Sequence, residues 1–215
     1  MERDGRRVRL NVDARADIEW WHQFGLRWNG TSLMKSVVME AECHEELVSD
    51  ASGSWGCGAA WKGEWFQIQW KALAGTSEWG IMPKELLPIV VAAIVWGGQW
   101  RGLTIKARCD NMSVVAAVRA GACKEKWSMH LLRCLAFVEA RVPLTVRAEH
   151  IKGTENVVAD ALSRDDLERA RSFMQVSERD PVAVPGEILQ MLTTPSQSWS
   201  EQDWKRLSSL SSISL

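Results

Sequence analysis

The sequence predicts an α/β protein in which three antiparallel strands precede alternating helices and strands. Alternating apolar residues and permissive glycines mark closely spaced strands at about 45–51, 56–62 and 64–71. Apolar residues at helical spacing mark the longer segments that follow them. Two further alternating segments, 103–109 and 143–151, are separated by helical stretches. The predicted order within residues 45–165 is therefore β-β-β-α-β-α-α-β-α.

The N-terminal part predicts one helix ahead of the first strand. Within residues 16–34, apolar side chains stand at positions 20, 21, 24 and 28, which is a helical spacing. Asn29-Gly30 then breaks the pattern. We interpret this segment as a docking or connecting helix and not as a catalytic element.

The segment after the three strands predicts a helix that runs to about Trp100. Pro83 suits the first position of a helix. Pro88 is less favourable, because inside a helix it removes one backbone hydrogen bond and clashes with the preceding turn. Either the first turn is distorted, or the regular helix begins near Leu87.

The remaining elements of this region are bounded by glycines and by alternating strands. A helix at about 111–120 ends at Gly121, which can adopt the left-handed conformation of a helix terminus. A second helix, at about 126–140, places a set of apolar side chains on one face. A last helix is predicted at about 156–164. The apolar face of the second helix carries Trp127, Leu131, Leu135 and Val138.

The C-terminal part differs in composition. Residues 166–215 contain PVAVP, TTPSQS and SSLSSISL, which are rich in proline and serine and typical of a linker. Short helices at about 185–193 and 200–208 are compatible with the pattern. We therefore expect three parts: an N-terminal connecting segment (1–40), a folded domain (41–166), and a linker with a partial C-terminal segment (167–215).

Composition excludes several function classes. The net charge is −1, although residues 101–152 contain ten Lys and Arg against four Asp and Glu. That local excess fits either a phosphate-binding surface or an ordinary solvated face. The five cysteines show no CxxC spacing, so a zinc site is not expected. Their odd number predicts reduced thiols, as in proteins of the cytosol or nucleus. The longest apolar stretch, residues 86–96, is too short for a membrane span.

Four acidic residues stand out by position and context. Asp50 lies in SDASGSWGCGAAW, Glu85 in PKELLPIV, Asp110 in CDNMSVV and Asp160 in HIKGTENVVADALSR. They fall at the ends of a strand, a helix, a strand and a helix. Carboxylate oxygens are hard ligands that suit Mg²⁺ or Mn²⁺, and two such ions roughly 4 Å apart need a cluster of carboxylates. Singly, each also fits a structural role: a turn, a helix N-terminus, a helix cap and a surface charge.

These motifs together resemble the ribonuclease H domain of retrotransposon reverse transcriptases. The segment 150–164 is similar to gypsy-type elements, whereas KELLPIVVAAIVWGGQWRG, CDNMSVV and EWWHQFGLRWNG are closer to DIRS-type elements. The resemblance covers roughly residues 16–165. It implies an RNase H-like fold with a mixed five-stranded sheet, in which three antiparallel strands are followed by parallel ones, and flanking helices. Residues 41–166 would form that domain, and residues 1–40 would connect it to the reverse transcriptase side.

The resemblance also implies an activity. Asp50, Glu85, Asp110 and Asp160 would be the catalytic residues and the ligands of two Mg²⁺ or Mn²⁺ ions. Asp50 would bridge the two ions, Asp160 would complete the ion site that activates water, and the other two would serve the leaving 3′ oxygen. The expected substrate is the RNA strand of an RNA–DNA hybrid. The expected partner is the reverse transcriptase polymerase domain of the same polyprotein, whose motifs this sequence lacks.

Two further expectations concern substrate contact and turnover. Asn111 is a candidate for contact with the substrate backbone or a 2′-hydroxyl, and Lys124, Lys126 and Arg133 are candidates for phosphate contacts, although a solvated helix face explains those three equally well. The loop 153–156 lacks the histidine that cellular ribonucleases H carry there. This difference bears on turnover. The missing polymerase motifs and the serine-rich C-terminal part motivate the alternative function, a catalytically inactive RNase H-like module of a truncated element that binds nucleic acid or acts as a tether.

Overall fold

The computed structural model describes residues 9–27, 45–174 and 180–209. The end of the predicted first helix, residues 28–34, lies outside these residues. The strands are β1 (Glu45–Ala51), β2 (Gly56–Trp61), β3 (Glu64–Gln69), β4 (Thr104–Cys109) and β5 (Thr145–His150). The helices are α1 (Val12–Arg27), α2 (Ile81–Val95), α3 (Met112–Ala120), α4 (Lys126–Arg141), α5 (Val157–Ser163), α6 (Leu167–Phe173), α7 (Gly186–Leu192) and α8 (Glu201–Ser209).

The five strands form one mixed sheet with the order β3-β2-β1-β4-β5. Strands β1, β2 and β3 pair antiparallel, whereas β4 is parallel to both β1 and β5. This confirms the predicted class, since three antiparallel strands followed by parallel ones, with helices on both faces, are the RNase H-like arrangement. The parallel pairing brings the carboxyl ends of β1, β4 and β5 to the same edge of the sheet.

Helix α2 differs from its prediction at both ends. It begins at Ile81, keeps Pro88 inside the helix and ends at Val95, so the prediction that it extends to Trp100 is wrong. Beyond Val95 the backbone tightens into turns, in which the Trp100 N–H contacts the carbonyl oxygens of Trp96 and Gly97. Every α2 residue from Leu86 to Ile94 is buried, as expected for a helix that is apolar all round. Among the described residues, no helix has both the length and the apolar character needed to cross a membrane.

The two faces of the sheet bury separate sets of apolar side chains. On one face, Leu47, Phe66 and Ile105 join the main core with α2, α3 and α4. On the other face, Ala60 and Trp65 pack against α5 and α6 in a smaller cluster. The carboxyl end of β1 therefore lies between α2 on one side of the sheet and α5 on the other.

The outer side of α4 is covered by segments from both ends of the described chain. Phe24 of α1 packs edge-on against Phe137, and Trp204 of α8 packs against the same ring. Trp199 contacts the ring of His130. The two short C-terminal helices predicted from sequence are present as α7 and α8, whereas α6 was not predicted. The division at residues 40 and 166 stays a prediction.

Candidate active site

Two of the four candidate carboxylates lie at the edge where parallel strands end. Asp50 is the penultimate residue of β1, where it pairs with Gly58 of β2. Asp110 directly follows β4. Because β1 and β4 are parallel neighbours, their last residues come close together. Asp50 is only 5% exposed, so its charge is held largely out of water.

Helix α2 brings the third carboxylate to the same edge. The backbone N–H of Ala51 donates to the Glu85 carboxylate, which ties α2 to the end of β1. The Cys109 thiol lies 3.9 Å from Glu85 Oε2. The potential ligand atoms of Glu85, Cys109 and Asp110 all lie within 4.8 Å of one another. Two strand ends and one helix thus place three acidic side chains around one small volume.

Helix α5 brings the fourth carboxylate from the opposite face of the sheet. Ser163 Oγ lies 2.6 Å from Asp50 Oδ2 and 2.9 Å from the carbonyl oxygen of Asp160. Ser163 has one hydroxyl proton, and the closer acceptor for it is Asp50 Oδ2. Gly58 allows the close approach of the helix, since a Cβ atom there would lie 2.5 Å from Leu162 Cβ. The absence of a side chain beside Asp50 is therefore what lets α5 carry Asp160 to the site.

The site concentrates negative charge that the protein itself does not fully neutralise. Burial raises the pKa of Asp50, and the charges of Asp110 and Asp160 raise it further, against the opposing hydrogen bond from Ser163. Burial raises the pKa of Glu85 to about 8, assisted by the charges of Asp50 and Asp110. A cluster of this kind is favourable when cations balance it, and its hard oxygen donors fit divalent ions such as Mg²⁺ or Mn²⁺.

Two buried cysteines, Cys57 and Cys109, lie near the carboxylates. Burial raises the pKa of Cys109 well above its usual range, and the charge of Glu85 adds to this effect. Burial likewise raises the pKa of Cys57, with further contributions from Glu85 and Asp50. The other potential ligand atoms around Cys109 are carboxylate oxygens of Glu85 and Asp110, which suit Mg²⁺ or Mn²⁺ better than the softer metals that thiolates bind.

Asp160 differs from the other three carboxylates in having arginine partners. Arg164 Nε donates to Asp160 Oδ1 at 2.7 Å, and Arg169 Nη1 donates to Oδ2 at 3.0 Å. Among the described residues, no ion pair is formed by Asp50, Glu85 or Asp110. The cluster is therefore cationic at its Asp160 side and anionic elsewhere.

The candidate substrate-binding residues lie in two places. Asn111 caps α3, because its Oδ1 accepts hydrogen bonds from the N–H groups of Ser113 and Val114 at 3.0 and 3.3 Å. A substrate contact by Asn111 would therefore have to use its Nδ2 group. The other three line a cleft of about 710 Å³ between α1 and the start of α4, which none of the four carboxylates lines. These three are Lys124, Lys126 and Arg133.

The charges in this cleft are partly engaged within the protein. Arg133 Nε donates to Asp17 Oδ1 of α1 at 3.0 Å. Lys126 Nζ lies 5.8 Å from the centre of the Trp127 ring. Elsewhere in the basic stretch, Arg108 pairs with Glu46 and Glu149. Lys124 and Lys126 are exposed and remain the better candidates for phosphate contact, whereas Arg133 would first have to leave Asp17.

Sequence reasoning missed several residues that hold the site together. Ser163 and Gly58 position α5, Arg169 reaches Asp160 from α6, and Asn156 Nδ2 donates to the carbonyl oxygen of Ser49 at 2.9 Å. A local signal existed for Ser163, which lies three residues after Asp160 and hence on the same side of the helix. No local spacing links Asn156 to Ser49 or Arg169 to Asp160.

Comparisons with known proteins give a structural likeness but no matching family. No protein-family model matches the sequence, and no curated protein matches it. Among solved structures, the chain is similar to LC11-RNase H1 in complex with an RNA/DNA hybrid, with 17% sequence identity and a TM-score of 0.43. The likeness covers 56% of this chain and 94% of that one. The fold assignment rests on the strand order and register of the sheet itself.

Proposed function

We propose that this chain is a metal-dependent endoribonuclease that hydrolyses the RNA strand of RNA–DNA hybrids. The observation that carries the proposal is the convergence of Asp50, Glu85, Asp110 and Asp160 at one edge of the sheet. Four separate elements supply these side chains, and each lies in a sequence context of the resembled family. Separate structural roles for the four do not account for their meeting, because repulsion among neighbouring carboxylates, two of them buried, costs stability.

The four carboxylates would hold and orient two divalent ions. Such ions supply an activated water molecule and stabilise the charge of the phosphate and of the leaving oxygen. Asp50 would act together with Asp110, which follows the neighbouring strand, and with Asp160, whose helix contacts Asp50 through Ser163. Ser163 would keep the Asp50 carboxylate in a fixed orientation. In the reaction, the water oxygen bonds to phosphorus and loses a proton, the bond from phosphorus to the 3′ oxygen breaks, and that oxygen takes up a proton.

Selectivity for RNA requires recognition of the 2′-hydroxyl, the group that distinguishes RNA from DNA. Asn111 is the proposed contact, since it directly follows Asp110 and caps α3 next to the carboxylates. Lys124 and Lys126 would contact phosphates farther along the duplex, as exposed cations do in sequence-independent binding. From the resemblance, we further propose that the chain acts beside a reverse transcriptase polymerase domain of the same polyprotein.

Cleavage of labelled nucleic acids by the purified chain tests the proposal. The substrates are one sequence prepared as an RNA–DNA hybrid, single-stranded RNA, double-stranded RNA and double-stranded DNA, each with Mg²⁺, Mn²⁺ or EDTA. We expect metal-dependent cleavage of RNA in the hybrid alone, with 5′-phosphate and 3′-hydroxyl ends. Asp50→Asn should lower the rate at least about a hundredfold, because it removes the central ligand. Asp180→Asn, at an exposed aspartate outside the site, is the matched control.

The same experiment separates catalysis from the alternative function. A folded protein that binds the hybrid without cutting it, and that binds equally well as Asp50→Asn, would be the inactive binding or tether module. Cleavage of double-stranded DNA at a similar rate would point to another nuclease chemistry on this fold. Either result would overturn the proposed ribonuclease activity.

A further inference from the structure

Two guanidinium groups occupy the Asp160 side of the candidate site. Arg164 Nε contacts Oδ1 of Asp160 at 2.7 Å, and Arg169 Nη1 contacts Oδ2 at 3.0 Å. Both carboxylate oxygens therefore already have a cationic partner, whereas the other three carboxylates form no ion pair within the described residues. We refer to Arg164 and Arg169 on Asp160 as the arginine latch.

The fold places Arg169 at this carboxylate. Asp165 connects α5 to α6 with a left-handed φ of 67°, and its Oδ1 accepts a hydrogen bond from Gln67 of β3 at 3.0 Å. Asp166 then caps α6, with its Oδ1 accepting from the N–H of Arg169 at 3.1 Å. Ala170, the next residue, is fully buried in the cluster between the sheet and α5. The backbone of Arg169 is thus held by the packing of its neighbour and by the cap, whereas its side chain is 45% exposed.

The latch competes with a divalent ion for the same carboxylate. Guanidinium groups keep their charge at all ordinary pH values, so each one repels an incoming cation. The competition is reversible, because the side chains of Arg164 and Arg169 are 61% and 45% exposed and exposed ion pairs are weak. A divalent ion that binds Asp160 would therefore release two guanidinium groups at the edge of the site.

We propose that Arg164 and Arg169 are positioning residues of the hydrolytic site, which hold Asp160 before an ion binds and then contact a phosphate of the substrate strand. The inference rests on the proposed function, since it assumes that Asp160 is a metal ligand. The planar fork of a guanidinium matches the oxygens of a phosphate group. The position of Arg169 on α6 places its side chain beside Asp160. Loss of either arginine should therefore help metal binding and harm substrate binding.

Mn²⁺ binding to the full chain without nucleic acid tests the first half. Titration followed by electron paramagnetic resonance compares the wild type with Arg169→Gln, Arg164→Gln and the control Arg171→Gln on the same helix. Removing one charge close to a divalent ion should tighten the weaker Mn²⁺ site roughly three- to tenfold. Arg171→Gln should change it less than about twofold, because its charge is not on Asp160. Circular dichroism of each variant verifies folding.

Hybrid binding tests the second half. At saturating Mg²⁺, Arg169→Gln should raise KM for the hybrid about three- to tenfold with a smaller change in kcat, because it removes a phosphate contact. Arg169→Lys, which keeps the charge, should recover part of this loss. A purely structural ion pair would not produce tighter metal binding and weaker substrate binding in one variant.

The outcomes distinguish this inference from the proposed function. Unchanged Mn²⁺ affinity in both Gln variants, or unchanged KM in Arg169→Gln, overturns the arginine latch while leaving the nuclease proposal intact. If the wild type binds Mn²⁺ but leaves the hybrid uncut, the proposed function fails, and the dissociation constant of the intact hybrid then replaces KM. If the wild type binds no Mn²⁺, both proposals fail.

Discussion

Replacing Glu85 with glutamine should remove a loss of stability that the metal-free protein suffers as the pH rises. The folded protein holds the pKa of Glu85 at about 8, against an ordinary value of 4.5, chiefly through burial and then through the charges of Asp50 and Asp110. Between these two values the folded state binds more protons than the unfolded state. Stability is therefore fully present below pH 4.5 and is lost as the pH rises toward 8.

The size of the effect follows from the shift. Well below pH 8 each pH unit lowers the free energy of unfolding by about 1.4 kcal/mol, and this slope falls to half at the pKa, so the loss between pH 6 and pH 8 is about 2 kcal/mol. Solvent screening reduces it little, because Glu85 is only 5% exposed. Glu85→Gln carries no titrating proton and should lack this slope. The other site groups remain in the variant, so the difference between the two proteins isolates Glu85.

Equilibrium urea unfolding, followed by tryptophan fluorescence at pH 6, 7 and 8 in EDTA, measures this difference. Glu78→Gln, at an exposed glutamate in the turn before α2, is the matched control and should parallel the wild type. Adding Mg²⁺ should stabilise the wild type more at pH 8 than at pH 6, because ion binding requires the deprotonated carboxylate. Parallel stability curves for the wild type and Glu85→Gln across pH 6 to 8 would refute the reasoning.

Two further changes test how the fold positions the site and its C-terminal cover. Gly58→Ala should lower the free energy of unfolding by about 1–3 kcal/mol and weaken Mn²⁺ binding, because the new Cβ would lie 2.5 Å from Leu162 Cβ and push α5 outward. Gly53→Ala meets nothing within 4 Å and should stay within about 0.5 kcal/mol, so equal losses in the two variants would contradict this account. Burial, with the charge of Arg133, lowers the pKa of His130 to about 4 from an ordinary 6.5. The unfolded state then binds more protons between these values, and the wild type should lose up to about 3 kcal/mol as the pH falls from 6.5 to 4. His130→Gln should flatten this dependence in urea unfolding, and a slope equal to that of the wild type would disprove the assignment.

The strands were the most predictable part of the protein. Alternation of side chains between two faces is a property of the strand alone, and β1 begins and ends where the sequence pattern placed it. The C-terminal end of helix α2 was less predictable. Trp96 and Trp100 continue its apolar spacing and are buried in the core, although the backbone there forms turns and not a helix. Helix α6 was missed, since its seven residues bury few side chains and show little periodicity.

The candidate carboxylates were identified from sequence because each carries its own local context. The contacts that orient them were not, because these join residues far apart in the chain. Ser163 and Asp50 are 113 positions apart, and Asn156 and Ser49 are 107 apart. Arg164 lies one helical turn from Asp160 and fits a local rule, whereas Arg169 reaches the same carboxylate only through the bend between α5 and α6.

The sequence by itself determined the order of the elements within residues 45–165, the mixed sheet implied by the family resemblance, and the four acidic positions. Periodicity, turn residues and motifs are local, so they can be read without coordinates. The tertiary structure alone decided that Gly58 admits α5, that the arginine latch occupies Asp160, and that Trp199 and Trp204 join the core despite a composition typical of a linker. These features depend on which surfaces pack together, and burial against a distant partner leaves no local pattern in the chain.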